Sequence, residues 1–253
     1  SIAAKAPTAS PVFTGNVGIG VTPETWAGFA GVLSIGNRGS IGAGSDTEYS
    51  NNSYYNSGYK YIDTALAASY AQAQGKHIFK VAPSGTADSA ISWNTVMTIN
   101  NDGIVTKPLQ PAFSAYSAAA QNNLGTAYNT ITFDTERFDQ NADFNTSTHT
   151  FTAPVTGKYM FAACVGLRAI PLNCQWIFMR IITSNAGYNM SEETAKWDAD
   201  TSNGFHTGFA SSVLADMDAG DTASVQIYQY TGTTSTDVST GQGYTWFTGY
   251  LVA

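Results

Sequence analysis

Carboxylates come in pairs in the second half of this 253-residue chain: Glu192-Glu193, Asp198 with Asp200, and Asp216 with Asp218. Such a pair can work as general acid and base when an apolar pocket raises the pKa of one member. These pairs stand in stretches rich in Gly, Ser, Thr and Asn, so they read as solvated loop faces. Loop carboxylates also suit Ca²⁺, which takes roughly six to eight oxygens in flexible geometry. Asp198, Asp200 and Asp237 are therefore the candidate metal ligands, with calcium the ion the pattern leaves open and no other cofactor implied.

Other catalytic patterns are missing. The chain has no HExxH, no GxSxG and no P-loop, and Gly18-Ile-Gly20 lacks the third glycine of a dinucleotide fingerprint. Cys164 and Cys174 stand ten apart with no CxxC spacing, which reads as two buried free thiols rather than a disulfide or zinc site. His77, His149 and His206 are scattered singly. The expectation is a protein that is not an enzyme.

Whatever these residues do, a folded scaffold must hold them. With 43% hydrophobic and 11% charged residues the chain can build a core, which excludes disorder. No run approaches the roughly 18 apolar residues of a membrane helix, so no membrane insertion is expected. Beginning at Ser1 without Met, the sequence reads as a fragment or processed form. Up to Gln110 six basic residues balance six acidic ones; beyond it five face twelve, so the net charge of −7 lies wholly in the C-terminal part. That asymmetry predicts two parts, and an acidic surface without a basic run argues against nucleic acid.

Residues 1–20 read as an extended segment, because Pro7 and Pro11 deny a helix. Residues 21–106 read as a β-rich module. Nine of the 24 glycines fall before Ser45, a density that predicts close approach of another backbone, as when three chains wrap about one axis. The tract Tyr49–Tyr61 reads as a polar-aromatic surface hairpin or loop. Asp63–Gly75 carries an N-cap residue, helix formers and a final glycine, yet Leu66, Ala68, Tyr70 and Gln72 also alternate, so helix and hairpin both stay open. Lys107-Pro-Leu-Gln-Pro111 is a stiff linker.

Beyond the linker, short aromatic and β-branched runs predict strands over 127–133, 148–152, 158–165, 176–182, 208–214, 223–229 and 244–251, a sandwich or jelly roll. Within them stands Phe133-x5-Asp139-x4-Phe144-x6-Phe151-x5-Gly157-x-Tyr159-x-Phe161. Tyr159, Phe161 and Ala163 share one strand face by period two, and with Phe151 and Phe247 can fill the space between two sheets. That spacing resembles the signature of the complement C1q globular head, departing only where Ala163 replaces an aromatic. Ala112-Phe-Ser-Ala-Tyr116, Leu214–Gln226 and Trp246-Phe-Thr-Gly-Tyr-Leu251 are similar to its first, GDxVxV and closing strands. The resemblance covers 112–253 and implies a ten-stranded, TNF-like jelly roll that assembles as a homotrimer and binds ligands through loops and outer surface. It implies core roles for Phe133, Phe144, Phe151, Gly157, Tyr159, Phe161 and Phe247.

Ala6-Pro-Thr-Ala-Ser-Pro-Val-Phe-Thr-Gly15, the following Gly15–Pro23 phrase and Met97–Val105 resemble segments of bacteriophage tail fibres. In that order, before a C1q-like head, they imply an all-β virion protein outside the cell: a glycine-rich, intertwined trimeric β shaft joined to upstream tail proteins and ending in a receptor-binding head. The host receptor would be a surface glycan or protein. Aromatic faces stack on sugar rings and polar neighbours fix hydroxyls. The candidate contacts are Tyr188, Trp197, Phe205, Tyr230 and Tyr244, with Asp198, Asp200 and His206. The alternative is a purely structural trimerisation or decoration module.

Overall fold

The computed structural model describes residues 13–171, 173–194, 207–230 and 236–253, with 190–194 described as backbone only. The chain divides into two compact units, Ser1–Pro108 and Leu109–Ala253, and every regular element among the described residues is a strand.

The first unit holds β1 (Val17–Ile19), β2 (Gly31–Ile35), β3 (Gly39–Ala43), β4 (Thr47–Asn51), β5 (Ser53–Tyr55), β6 (Tyr59–Tyr61), β7 (Ala65–Ala73), β8 (Lys76–Gly85), β9 (Asn94–Ile99) and β10 (Val105–Thr106). Eight of them form one sheet in the order β1-β2-β3-β4-β7-β8-β9-β10, and β5 and β6 make a separate hairpin. Only β1 runs parallel to its neighbour. Residues 63–75 resolve as the hairpin arm rather than the helix. Ala73 pairs with Lys76 across a two-residue turn in which Gln74 and Gly75 both have positive φ, 52° and 72°, the geometry that matches strand twist.

The tract 49–61 is less superficial than its polarity suggests. Asn52 and Ser53 are fully buried, and Tyr54 and Tyr61 nearly so. The Asn52 amide donates to the carbonyls of Asp63, Ala65 and Leu66 at 3.0–3.1 Å and accepts the Asp63 N–H at 2.8 Å, which ties the hairpin to the start of β7. Two glycines owe their place to aromatic rings of the same chain. A β-carbon on Gly42 would lie 2.7 Å from the Phe29 ring, and one on Gly85 would lie 2.1 Å from Tyr61.

The second unit holds β11 (Ala112–Tyr116), β12 (Gln121–Leu124), β13 (Tyr128–Thr130), β14 (Thr135–Asp139), β15 (Phe144–Asn145), β16 (Thr150–Thr152), β17 (Gly157–Arg168), β18 (Trp176–Thr183), β19 (Gly187–Thr194), β20 (Thr207–Met217), β21 (Thr222–Tyr230), β22 (Thr236–Val238) and β23 (Trp246–Leu251). One sheet runs β12-β22-β17-β23-β11-β14 with β20 on the free side of β17; the other runs β15-β16-β21-β18-β19 with β13 on β21. The strand expected over 127–133 shortens to β13, with Ile131 and Phe133 buried beyond its end, and Tyr244 lies in the turn before β23.

The core between these sheets is aromatic. Phe133, Phe151, Tyr159, Phe161 and Phe247 are fully buried and Phe144 nearly so. Phe113 stacks on Phe144 and Phe151 at 4.8 and 5.0 Å. Ala163, where the resemblance calls for an aromatic, is itself fully buried and pairs with Phe247 across β17 and β23. Gly157 is only half-buried, and its role is steric: a β-carbon there would lie 2.6 Å from the Ala253 carbonyl oxygen. Gly249 is needed for the same kind of reason, since its β-carbon would press on Phe161 at 2.5 Å. Asp139 accepts the N–H groups of Asp143 and Phe144, fixing the turn into β15. Cys164 is half-buried and Cys174 buried, both are free, and burial raises both thiol pKa values, which keeps them protonated.

Asp134 ties the loop after β11 to the start of β14. Burial pushes its carboxyl up, but N–H groups of Ala118 and Ala119 at 2.8 Å and the Thr135 hydroxyl outweigh this and hold it below the ordinary 3.8. A lowered folded value means the charge stabilises the fold above the unfolded pKa and stops doing so as pH falls through the folded one. Comparing acid unfolding of the wild type with Asp134→Asn should show the wild-type advantage shrinking below pH 3.8. An advantage constant through that range would remove the charge from the explanation.

Candidate functional site

Strand parity sorts the side chains of β18 and β21. Ile177, Met179 and Ile181 enter the core, as do Val225 and Ile227, so Trp176, Phe178 and Arg180 share the opposite face with Gln226, Tyr228 and Tyr230. A solvent-facing row would ordinarily be polar; here it is aromatic. Trp176 stacks on Phe178 at 5.4 Å and on Tyr230 at 5.1 Å, and Phe178 stacks on Tyr228 at 5.2 Å. Tyr128 from β13 closes one end, 4.7 Å from Tyr228.

The polar member of the row is held in place. The Arg180 guanidinium lies 3.5 Å over the Tyr128 ring, and its Nε and Nη2 donate to Gln226 Oε1 at 2.9 and 2.6 Å. Gln226 in turn donates to the Thr130 hydroxyl at 3.3 Å. No described carboxylate comes within ion-pair distance of Arg180. The inner ring Phe178 is 5% exposed, both its faces taken, whereas Tyr230 and Tyr128 at the two ends are 41% and 47% exposed. Chemically this is a preordered strip of stacked rings, partly exposed at its two ends, with a fixed cation, fit for contact with a flat apolar ring face while donating hydrogen bonds beside it.

The expected contact residues do not all gather there. Tyr230 belongs to the row. Tyr188 does not: it pairs with Ile181 and packs against the core. Tyr244 is 52% exposed in the turn before β23, its carbonyl accepting the Gly166 N–H, outside the row. Trp197, Asp198, Asp200, Phe205 and His206 lie outside the described residues. Asp237, the remaining metal candidate, accepts the Asn123 N–H at 2.9 Å and lies 3.8 Å from Arg168. Among the described residues no three His, Cys, Asp or Glu groups meet to hold a metal. Asp216 is paired with Lys158, and Asp218 sits in the turn closed by Gly220 at φ 92°. Trp176, Phe178, Arg180, Tyr128 and Tyr228 were missed by sequence reasoning. Their signal was available: in Trp-Ile-Phe-Met-Arg both parities are large, so one aromatic set must face outward.

The other sheet also carries a distinctive outer face. Register places Leu214, Met160 and Tyr250 in one cross-strand row, Ser212, Ala162 and Thr248 in the next, and Ala210, Cys164 and Trp246 in a third. No charged residue enters these rows. Charges on β17 occur at its two ends, where Lys158 pairs with Asp216 and Arg168 with Asp237.

Residues 112–252 match the model of the C1q domain family. No curated protein matches the chain. Among solved structures, the globular domain of the zebrafish complement 1qA protein is 17% identical, covering 57% of this chain and 98% of its own, with a TM-score of 0.40. Murine APRIL, at pH 8.0 and at pH 5.0, is 8% and 9% identical, covering 56% of this chain and 99% of its own, with TM-scores of 0.41. With the matched residues making up more than half of its length, the chain belongs to the C1q domain family, and its second unit is a C1q/TNF-like jelly roll.

Proposed function

We propose that this chain is the distal, receptor-binding end of a bacteriophage tail fibre: a homotrimer, outside the cell on the virion, whose C1q domain adheres to the host surface without catalysis. The observation that carries adhesion is the outward aromatic row with its anchored Arg180. Stacking surface and a fixed donor side by side suit a surface glycan, and three copies acting together raise avidity by about 10²–10⁴-fold without new contacts. The three uncharged rows across β20, β17 and β23 support the trimer, since three copies of them can close on an axis while the Lys158–Asp216 and Arg168–Asp237 pairs stay at the two ends of β17. Support for the fibre context is the phrase order at 6–15, 15–23 and 97–105 ahead of the head.

The test is adhesion of the full chain to a panel of bacterial strains, wild type against the Trp176→Ala/Tyr230→Ala double variant. Aromatic contacts at the centre of an interface are worth about 2 kcal/mol or more, so binding should fall by about thirty-fold or more with the mass and circular dichroism unchanged. Wild-type adhesion that the variant retains in full would remove the row from the site. No adhesion by the wild type to any strain would favour the structural module, in which the rings merely stack on one another.

A further inference from the structure

The large sheet of the first unit carries a cavity of about 280 Å³ on one face. Register sets Glu48 of β4, Ala71 of β7 and Ile78 of β8 in one cross-strand row, and Ser69 beside Lys80 in the next, all on that face. Its apolar walls are Phe29 and the paired Tyr55 and Tyr59 of the β5–β6 hairpin. These rings are braced edge-on before anything enters. Trp26 meets Phe29 at 5.3 Å, Phe29 meets Tyr55 at 6.1 Å, Tyr55 meets Tyr59 at 5.1 Å, and Trp93 meets Tyr59 at 5.8 Å. The space stays open because β7 contributes only Ala71 and Ala73, where a strand ordinarily carries a β-branched or aromatic side chain. Into it comes charge. Glu48 is 5% exposed, with one carboxylate oxygen accepting the Ser69 hydroxyl at 2.6 Å and the other the Tyr59 hydroxyl, so each oxygen keeps a free lone pair. Burial and the bond to Glu48 raise the Tyr59 phenol pKa, which keeps that donor protonated. Asp46 and Lys80 line the same cavity, the Lys80 ammonium 5.6 Å from the Tyr59 ring centre. Among the described residues no partner of opposite charge comes within ion-pair distance of Glu48, Asp46 or Lys80. Acceptors and a donor thus border one small space without satisfying each other.

We propose that this cavity binds one neutral polyhydroxylated ring, a pyranose. Charge selects the class. A cation would be desolvated against Lys80 and an anion against Asp46 and Glu48, whereas a neutral ligand that both donates and accepts meets neither penalty. Hydroxyl groups do both: they can donate to the spare lone pairs of Glu48 and accept from Lys80. The C–H face of a pyranose supplies the apolar surface that the fixed rings of Phe29, Tyr55 and Tyr59 call for. Size sets the number of rings. A volume of about 280 Å³ stands at the lower end of small-molecule sites, which run from roughly 300 to 1,000 Å³, so it admits one ring rather than a chain of them. The residues involved all belong to the first unit, and the inference needs neither the trimer nor the aromatic row of the C1q domain.

Saturation-transfer NMR on the purified full chain tests this. The probes are glucose, galactose, mannose and N-acetylglucosamine, each free and as its methyl glycoside, at about 10 mM, tenfold above a weak dissociation constant of about 1 mM. At least one should receive transfer on its ring protons; retention on methylation assigns the end of a glycan, loss on methylation a free monosaccharide, and either supports the site. Ala73→Leu fills the cavity at a half-buried position and should abolish the transfer. Lys80→Met keeps the stem and removes the donor, so affinity should fall about tenfold or more. The Trp176→Ala/Tyr230→Ala variant should keep it in full. If Ala73→Leu melts well below the wild type, Lys80→Met decides, and undiminished binding there overturns the inference. Transfer lost in the Trp176/Tyr230 variant but kept in Ala73→Leu would overturn it as well and leave the proposed function standing. No transfer from any sugar, or transfer from the zwitterion glycine betaine alone, would also overturn it, while a failure of the adhesion test would leave it intact.

Discussion

Replacing Phe247 with alanine is expected to cost the second unit about 3–5 kcal/mol, the range for deleting a fully buried aromatic when the site cannot collapse. The site is unable to collapse because the ring is a hub. Its centroid lies 5.0 Å from Phe113, 5.6 Å from Phe133, 5.7 Å from Phe161 and 6.3 Å from Phe144, so four other rings lose a neighbour at once. The backbone beside it is equally committed, since Gly249, two residues on, leaves only a hydrogen's width for Phe161. For a unit of this size the loss corresponds to a fall in melting temperature of roughly 10–15 °C, read by near-ultraviolet circular dichroism. Val155→Ala, at a position 46% exposed, serves as the reference and should change stability by no more than about 0.5 kcal/mol. Equal effects from the two substitutions would show that the ring cluster does not hold the sandwich together.

The same hub explains why the C1q domain was legible before any coordinates. Tyr159 and Phe161 are placed by strand alternation, a property the strand carries in its own residues, whereas Phe133, past the end of β13, and Phe144, in two-residue β15, were legible only through the spacing that resembles the C1q signature; the structure buries both kinds, with Phe151 and Phe247. Very short strands carry no such mark. Polar β12 pairs with β22, three-residue β22 is held between β12 and the end of β17, and two-residue β15 is defined by pairing with β16, so their sequences alone read as loop. The hairpin at 65–85 was undecidable locally because its alanines suit a helix; pairing of β7 with β4 decides it. Tyr188 shows how one residue can mislead. A bulge between Met179 and Arg180 sets it opposite core-facing Ile181 instead of outward-facing Ile182, and an irregularity of this kind leaves no periodic trace. The aromatic row failed to register for a different reason: in a strand with large residues at both parities, alternation does not say which face is solvent. The glycines of the first unit read as sites where another backbone approaches, but within the chain Gly42 and Gly85 are met by aromatic rings, while a β-carbon on Gly15, Gly20, Gly31 or Gly36 would meet nothing within 4 Å.

Leu214→Glu should convert the trimer to single chains while leaving each chain folded. Leu214 is 54% exposed, so a carboxylate at this position in a lone chain stays in water and disturbs no packing. In the proposed trimer the residue borders Met160 and Tyr250 in the first uncharged row, one row in from the Lys158–Asp216 pair, and three added carboxylates would be drawn together away from solvent. Burying an unpaired ion costs several kcal/mol, and each 1.4 kcal/mol is about tenfold in an association constant, so a loss of at least about a hundredfold is expected. Light scattering would read one chain mass where the wild type gives three, with unchanged circular dichroism. Leu214→Gln separates charge from shape. It is isosteric with the glutamate and neutral, and should weaken association far less. Acid provides a second separation, because a carboxyl forced into an apolar contact protonates more readily than one in water, so the glutamate variant should regain the trimer as pH falls. A glutamate variant that stays trimeric at neutral pH would place the three-fold contact elsewhere on the domain; a glutamine variant that dissociates as fully would assign the contact to the shape of the leucine rather than to the absence of charge.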